Sequence, residues 1–131
     1  MTKTLIDTSA WIEFFRHSSS PYADIVSVLI EQDQATTTGP IIAELLQGVK
    51  SRREGDTLRD LLTAIPYIDV WRSDWDETGI LLGKLRRQGI TVPLTDALIA
   101  SVAKRNSYDV LTLDNHFKHL EIPLYPVKIE P

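Results

Sequence analysis

A carboxylate stands where the first strand-like run of this chain turns into a helix. Lys3-Thr4-Leu5-Ile6 is short and apolar and stops at Asp7-Thr8-Ser9, and the helical pattern of Ala10-Trp11-Ile12-Glu13-Phe14-Phe15 follows at once. In a parallel α/β sheet that junction faces the crevice beyond the strand carboxyl ends, where ligands of such folds bind. The rest of the chain keeps the same alternation. Ser20 caps a helix predicted from Pro21 to Gln32, with Ile25, Val28 and Leu29 as its apolar stripe, and Gln34-Ala35-Thr36-Thr37-Thr38 is β-branched and reads as a second strand. Gly39-Pro40 opens a third helix, Ile41 to Val49, apolar around most of its circumference; its Glu44 is expected to be buried.

Ser51-Arg52-Arg53-Glu54-Gly55 reads as a charged break before an amphipathic helix from Asp56 to Ile65, and Pro66 ends it. Tyr67 to Trp71 is a third predicted strand. Ser73-Asp74-Trp75-Asp76 resembles a capping box for a helix running to Gln88 and terminated by Gly89. Leu94-Thr95-Asp96 begins a further helix that carries Leu98, Ile99, Val102 and Ala103 at helical spacing. Asp109 to Leu113 is a fourth strand that ends in Asp114, and Pro123 to Val127 is a candidate short fifth strand at an edge. Strands alternating with helices imply a three-layer α/β fold around a mostly parallel sheet of four to five short strands, and 131 residues at 43% hydrophobic content suit one domain spanning residues 1–131.

Function classes narrow by exclusion. No run approaches the ~18 apolar residues of a membrane span, and Asp7 interrupts any signal-peptide core, so a cytoplasmic protein is expected. Without cysteine there is neither a disulfide nor a thiolate zinc site. A net charge of -4 argues against a generally basic nucleic-acid coat, but acids gathered around metal ions leave the remaining surface more basic than the total implies. Asp7, Glu44, Asp96 and Asp114 are the acids that can meet in one crevice. Taken singly, Asp7, Asp96 and Asp114 also have a structural reading as helix caps or partners of the helix dipole. Converging without a cation, each like-charged pair at ~5 Å would cost about 3 kcal/mol at an effective dielectric near 20. Either they scatter or cations hold them together, and ligation by oxygen alone suits Mg²⁺ or Mn²⁺.

Four ordered blocks, Leu5-Ile6-Asp7-Thr8-Ser9, Ala43-Glu44-Leu45, Leu94 to Ala100 and Leu111 to Phe117, resemble the PIN-domain ribonucleases, and among them the VapC-type toxins of bacterial toxin–antitoxin pairs. The resemblance implies a three-layer PIN-like fold with the first and fourth strands adjacent. It implies that Asp7, Glu44, Asp96 and Asp114 surround one or two Mg²⁺ or Mn²⁺ ions at which a metal-activated water cuts RNA. It also implies a homodimer and a cognate antitoxin that binds the site. A pocket of four carboxylates attracts cations, so a basic side chain of that partner is expected to enter it, with apolar contacts along Trp11, Phe14 and Phe15. A non-catalytic RNA- or protein-binding domain of the same fold is the alternative, opposed by retention of all four acids. A phosphatase with Asp7 as nucleophile lacks its second Asp, since that position is Ser9.

Thr112 and Asn115 are candidates for orienting the acids from outside the metal sphere. Arg52, Arg53, Arg86 and Arg87, with Lys104 and Arg105, are candidates for RNA phosphate contact, against their plainer reading as solvated charge. His116 and His119 share a spacing but no zinc motif and read as surface. Trp11, Trp71 and Trp75 read as core or interface packing.

Overall fold

A computed structural model describes residues 3–128. The elements follow in the order β1 (Thr4–Ile6), α1 (Thr8–Arg16), α2 (Pro21–Glu31), β2 (Ala35–Thr38), α3 (Gly39–Gln47), α4 (Arg52–Thr63), β3 (Tyr67–Ile68), α5 (Arg72–Arg87), α6 (Leu94–Arg105) and β4 (Asp109–Leu111), with a 3-10 turn at Asn115–His119. The four strands form one sheet in the order β3-β2-β1-β4, and every pairing is parallel. Helices flank the sheet, as parallel crossovers require. Its central strands are wholly buried, which is why they show no alternation of polar and apolar residues. Among the described residues no helix is long and apolar enough to cross a membrane.

Strand order reverses where β1 meets β4. Ile6 pairs with Leu111, so the residues one step beyond, Asp7 and Thr112, emerge side by side at the carboxyl ends of the strands. The expected adjacency of first and fourth strands holds. The fifth strand does not form: Leu124 makes a single parallel bridge to Val110. Two prolines around Leu124 and Tyr125 remove the donors that a longer ladder would need.

Several expected boundaries shift for local reasons. The charged break at Ser51 is the first turn of α4: the Ser51 hydroxyl accepts from Glu54 N at 3.1 Å and Glu54 reaches back to Lys50 N at 3.3 Å. α5 starts at Arg72, with Asp74 in place of Asp76 as the reciprocal acid, accepting from Trp71 N at 2.7 Å. The third strand accordingly shortens to Tyr67–Ile68. On α2 the buried residues are Ala23, Val26 and Leu29, and Val28 faces out.

The expectation of a buried α3 is overturned. Only Ile41 and Leu45, one turn apart, are buried; Ala43, Glu44 and Gln47 share the open face of this helix. Trp11 is core, whereas Trp71 and Trp75 are more than half exposed.

Candidate metal centre at the strand crossover

Asp7 is fixed from both strands. Its buried carboxylate accepts from the Ser9 and Thr112 hydroxyls, each at 2.8 Å to Oδ2, and forms no capping hydrogen bond to its own helix. The two hydroxyls also hold the loop that carries Asp114. Leu113 N donates to Ser9 Oγ at 3.0 Å and Asp114 N to Thr112 Oγ1 at 2.9 Å, with the hydroxyls 3.2 Å apart. Burial raises the Asp7 pKa above the ordinary carboxylate range, and the hydroxyls, followed by the backbone amides of Thr8 and Ser9, pull it partly back. Thr112 therefore touches the acid it was expected to orient. Asn115 is exposed and makes no hydrogen bond to the acids among the described residues. Ser9, a hydroxyl in the first turn of α1, makes the contact instead.

Asp96 lies in the first turn of α6, its side chain only 10% exposed. Its Oδ2 is buried and makes no hydrogen bond of acceptable geometry; the nearest cation-capable atom is His116 Nδ1 at 3.3 Å. Burial, then the charge of Asp114, then that of Asp7, push its pKa up to about 7. A buried carboxylate without a donor is rare in folded proteins and costs stability unless something arrives to satisfy it.

Asp114 Oδ1 accepts from His116 N at 2.9 Å, so its reading as a cap is correct, yet the same oxygen lies 2.8 Å from His116 Nδ1. Asp96, Asp114 and His116 each offer a ligand atom, and these atoms lie within 4.8 Å of one another. His116 thus belongs to the acidic cluster and is not a bystander. Its place could have been read from the turn, since a residue two after a capping Asp folds back over that carboxylate. His119 stands outside this group.

Glu44 stands apart from it too. It is exposed on α3 and accepts from Thr8 Oγ1 at 3.0 Å, so its partner is the residue next to Asp7. Arg52, Arg53, Arg86 and Arg87 are all exposed. Arg105 is not available to a phosphate: it grips Asp74 through Nε and a second nitrogen, each at 2.9 Å, donates to Asp69 O at 2.7 Å, and stacks 3.9 Å from the Trp71 ring centre. A groove of about 470 Å³ runs from Glu44 between α1, α3 and α4, lined by Ile12, Phe15, Leu45, Val49 and Leu58 and edged by Arg16 and Arg53. Of the three aromatic residues expected along such a groove, Phe15 lines it, Phe14 is half-buried, and Trp11 is core beneath Phe15.

The fold and the sequence agree on ancestry. The profile of the PIN domain matches residues 4–123. Ribonuclease VapC11 of Mycobacterium tuberculosis and VapC ribonuclease Mb1587 of Mycobacterium bovis are each 33% identical over 117 residues, covering 86% of this chain and 87% of the relative. Among solved structures, VapBC2 from Rickettsia felis bound to a promoter DNA fragment aligns with a TM-score of 0.79 at 20% identity, over 93% of this chain and 96% of that one. DNA-bound VapBC from Salmonella typhimurium gives 0.80 at 20% identity, over 95% and 98%. With the crossover of β1 and β4 at its centre, this chain belongs to the PIN-domain family, in its VapC-type branch.

Proposed function

We propose that the chain is a metal-dependent endoribonuclease, the toxin of a toxin–antitoxin pair, that hydrolyses RNA phosphodiester bonds at the Asp7–Asp96–Asp114 crevice. The observation that carries this reading is Asp96 Oδ2, buried and without a hydrogen bond beside two further carboxylates. Such a cluster fits a hard divalent cation: the donors are oxygens, they are preorganised, and burial together with the charges of Asp114 and Asp7 raises the proton affinity of Asp96. Asp7, Asp96 and Asp114 would hold Mg²⁺ or Mn²⁺, with Glu44 closing the rim from α3. When bound, one or two such ions would supply Lewis acidity to the attacking water and charge compensation to the leaving oxygen.

The chain's own groups set the stage. Ser9 and Thr112 lock the Asp7 rotamer and the Asp114 loop as one unit, so the carboxylates need little reorganisation on binding. Arg52, Arg53, Arg86 and Arg87 supply phosphate contacts outside the crevice, which fix a strand without reading its bases. For the antitoxin, the apolar groove beside Glu44 takes the hydrophobic side chains of a partner segment. A basic side chain extended from that segment would reach the acids and compete with the cation. A homodimer completes this reading.

The decisive experiment induces wild type and Asp96→Asn in cells and maps new RNA 5′ ends, with divalent-metal dependence of the purified proteins in parallel. New ends in wild type alone, lost on chelation and restored by Mn²⁺, support the reading. Equal patterns from both proteins leave a binding domain without chemistry.

A further inference from the structure

The acids of this site are those the family resemblance leads one to expect; the imidazole among them is not. We infer that His116 is a nitrogen ligand of the metal centre, adding an imidazole to the carboxylates and giving this chain a preference for Mn²⁺ over Mg²⁺. The inference rests on the metal-centre reading above. Its ground is position: His116 Nδ1 lies 2.8 Å from Asp114 Oδ1 and 3.3 Å from Asp96 Oδ2, and no other nitrogen-bearing side chain among the described residues approaches these two oxygens. Neighbouring ligands of an octahedral ion with bonds of about 2.1 Å sit roughly 3.0 Å apart, so the imidazole nitrogen stands close to that spacing from each of the two carboxylate oxygens.

A second observation is independent of that spacing. Asp96 Oδ2 is buried and lacks a hydrogen bond, with His116 Nδ1 the nearest basic nitrogen among the described residues at 3.3 Å. A cation placed among the three groups would take the unsatisfied oxygen and the imidazole nitrogen together. The backbone supports the pose. Asp114 accepts from His116 N, which fixes the start of the histidine side chain against the carboxylate, while Phe117, next in sequence, is buried and anchors the turn. Imidazole suits transition metals far better than it suits Mg²⁺, which favours oxygen and keeps its waters. The selectivity of the centre then lies in one side chain.

The test is Mn²⁺ binding to the full chain, followed by electron paramagnetic resonance with detection of ¹⁴N coupling, and a parallel Mg²⁺ titration by calorimetry. The expected results are an imidazole ¹⁴N coupling in wild type and in His119→Ala, its disappearance in His116→Ala, and a fall of about tenfold or more in Mn²⁺ affinity with under about threefold change for Mg²⁺. The His116 side chain is 47% exposed, so the variant is expected to fold, and its circular dichroism and melting curve check this. Mn²⁺ bound without ¹⁴N coupling overturns the inference and leaves the metal centre standing. Tighter Mn²⁺ binding in His116→Ala overturns it also, by showing a counter-ion that metal must expel. Failure of wild type to bind Mn²⁺, with Asp96→Asn indistinguishable from it, overturns the metal-centre reading itself and this inference with it.

Discussion

Asp74 and Asp96 occupy the same third position in the first turns of α5 and α6, two helices packed on each other, and both carboxylates are buried. Asp74 is fully provided for: Trp71 N donates to it, and Arg105 from the far end of α6 grips it through two nitrogens. Asp96 has neither. Its N-cap is Pro93, which has no N–H to donate, and no arginine or lysine reaches it among the described residues. Identical chemistry at identical helical positions therefore ends as a structural latch in one place and a buried carboxylate oxygen without a donor in the other. What decides is the donor that the flanking residue does or does not carry.

The largest effect expected from breaking this contrast is on the latch. Arg105→Ala leaves Asp74 buried without its cation, and removing one partner of such a pair costs about 3–5 kcal/mol. The low end applies, because the Arg105 side chain is 19% exposed. Urea denaturation measures it. A midpoint unchanged from wild type would show that Asp74 is satisfied by Trp71 N alone, and that the two acids differ less than their partners suggest.

On the other side, Asp96→Asn keeps the shape and removes the charge. Cleavage is expected to drop by ~100-fold or more, about 3 kcal/mol of transition-state stabilisation, while the metal-free protein becomes more stable by on the order of 1 kcal/mol, since one member of a repelling set is gone. The opposite signs matter. A carboxylate whose loss raises the melting temperature and abolishes turnover is held in place for chemistry; one whose loss lowers both is architecture.

How much of this was legible in the sequence follows from the same physics. The strand–helix alternation was legible because apolar runs broken by acids at strand ends have few other readings in a parallel sheet, whereas the adjacency of β1 and β4 followed from the family resemblance and not from the pattern. The exposure of Glu44 was not legible: Ile41-Ile42-Ala43-Glu44-Leu45-Leu46 looks apolar all round, but this short helix buries a single stripe at Ile41 and Leu45, and Ala43 is exposed along with Glu44. Arg105 read as a surface cation because its partner Asp74 is 31 residues away, and nothing in spacing links them. His116 read as surface because its role depends on a turn folding back over Asp114. Long-range pairing and turn geometry are the two things a linear pattern hides.

The proton affinity of Asp96 sharpens the contrast with pH. Its folded-state pKa of about 7 lies above the ordinary 3.8, so between those values the folded protein binds a proton that the unfolded chain has released. Stability from this group is fully present below about pH 4 and is lost as pH rises through 7. Asp7, raised by burial, acts with the same sign. The metal-free protein should therefore be less stable at pH 8 than at pH 5, by on the order of 1–2 kcal/mol. Saturating Mn²⁺ should reverse that trend, because a cation replaces the proton and binds better as protons leave. Melting curves at both pH values, with and without metal, read the effect, and a profile that is flat without metal and identical in Asp96→Asn would place the acids too far apart to interact.

The smallest effect tests the origin of the contrast. If Asp96 is free because Pro93 has no N–H, then Pro93→Ala supplies the missing donor, and the carboxylate can close on its own helix as Asp74 does on Trp71 N. Two stability terms nearly cancel: the new hydrogen bond contributes about 1 kcal/mol, and the added freedom of the unfolded chain takes back about 0.4–1 kcal/mol. The melting temperature should hardly move. Metal binding should, because the cation must now displace a hydrogen bond that did not exist before, and an oxygen held by about 1 kcal/mol weakens affinity roughly fivefold. Calorimetric titration of Mn²⁺ into Pro93→Ala against wild type distinguishes the two accounts. Unchanged affinity would mean that burial and the neighbouring charges alone hold Asp96 open, and that the proline is only a convenient start for α6.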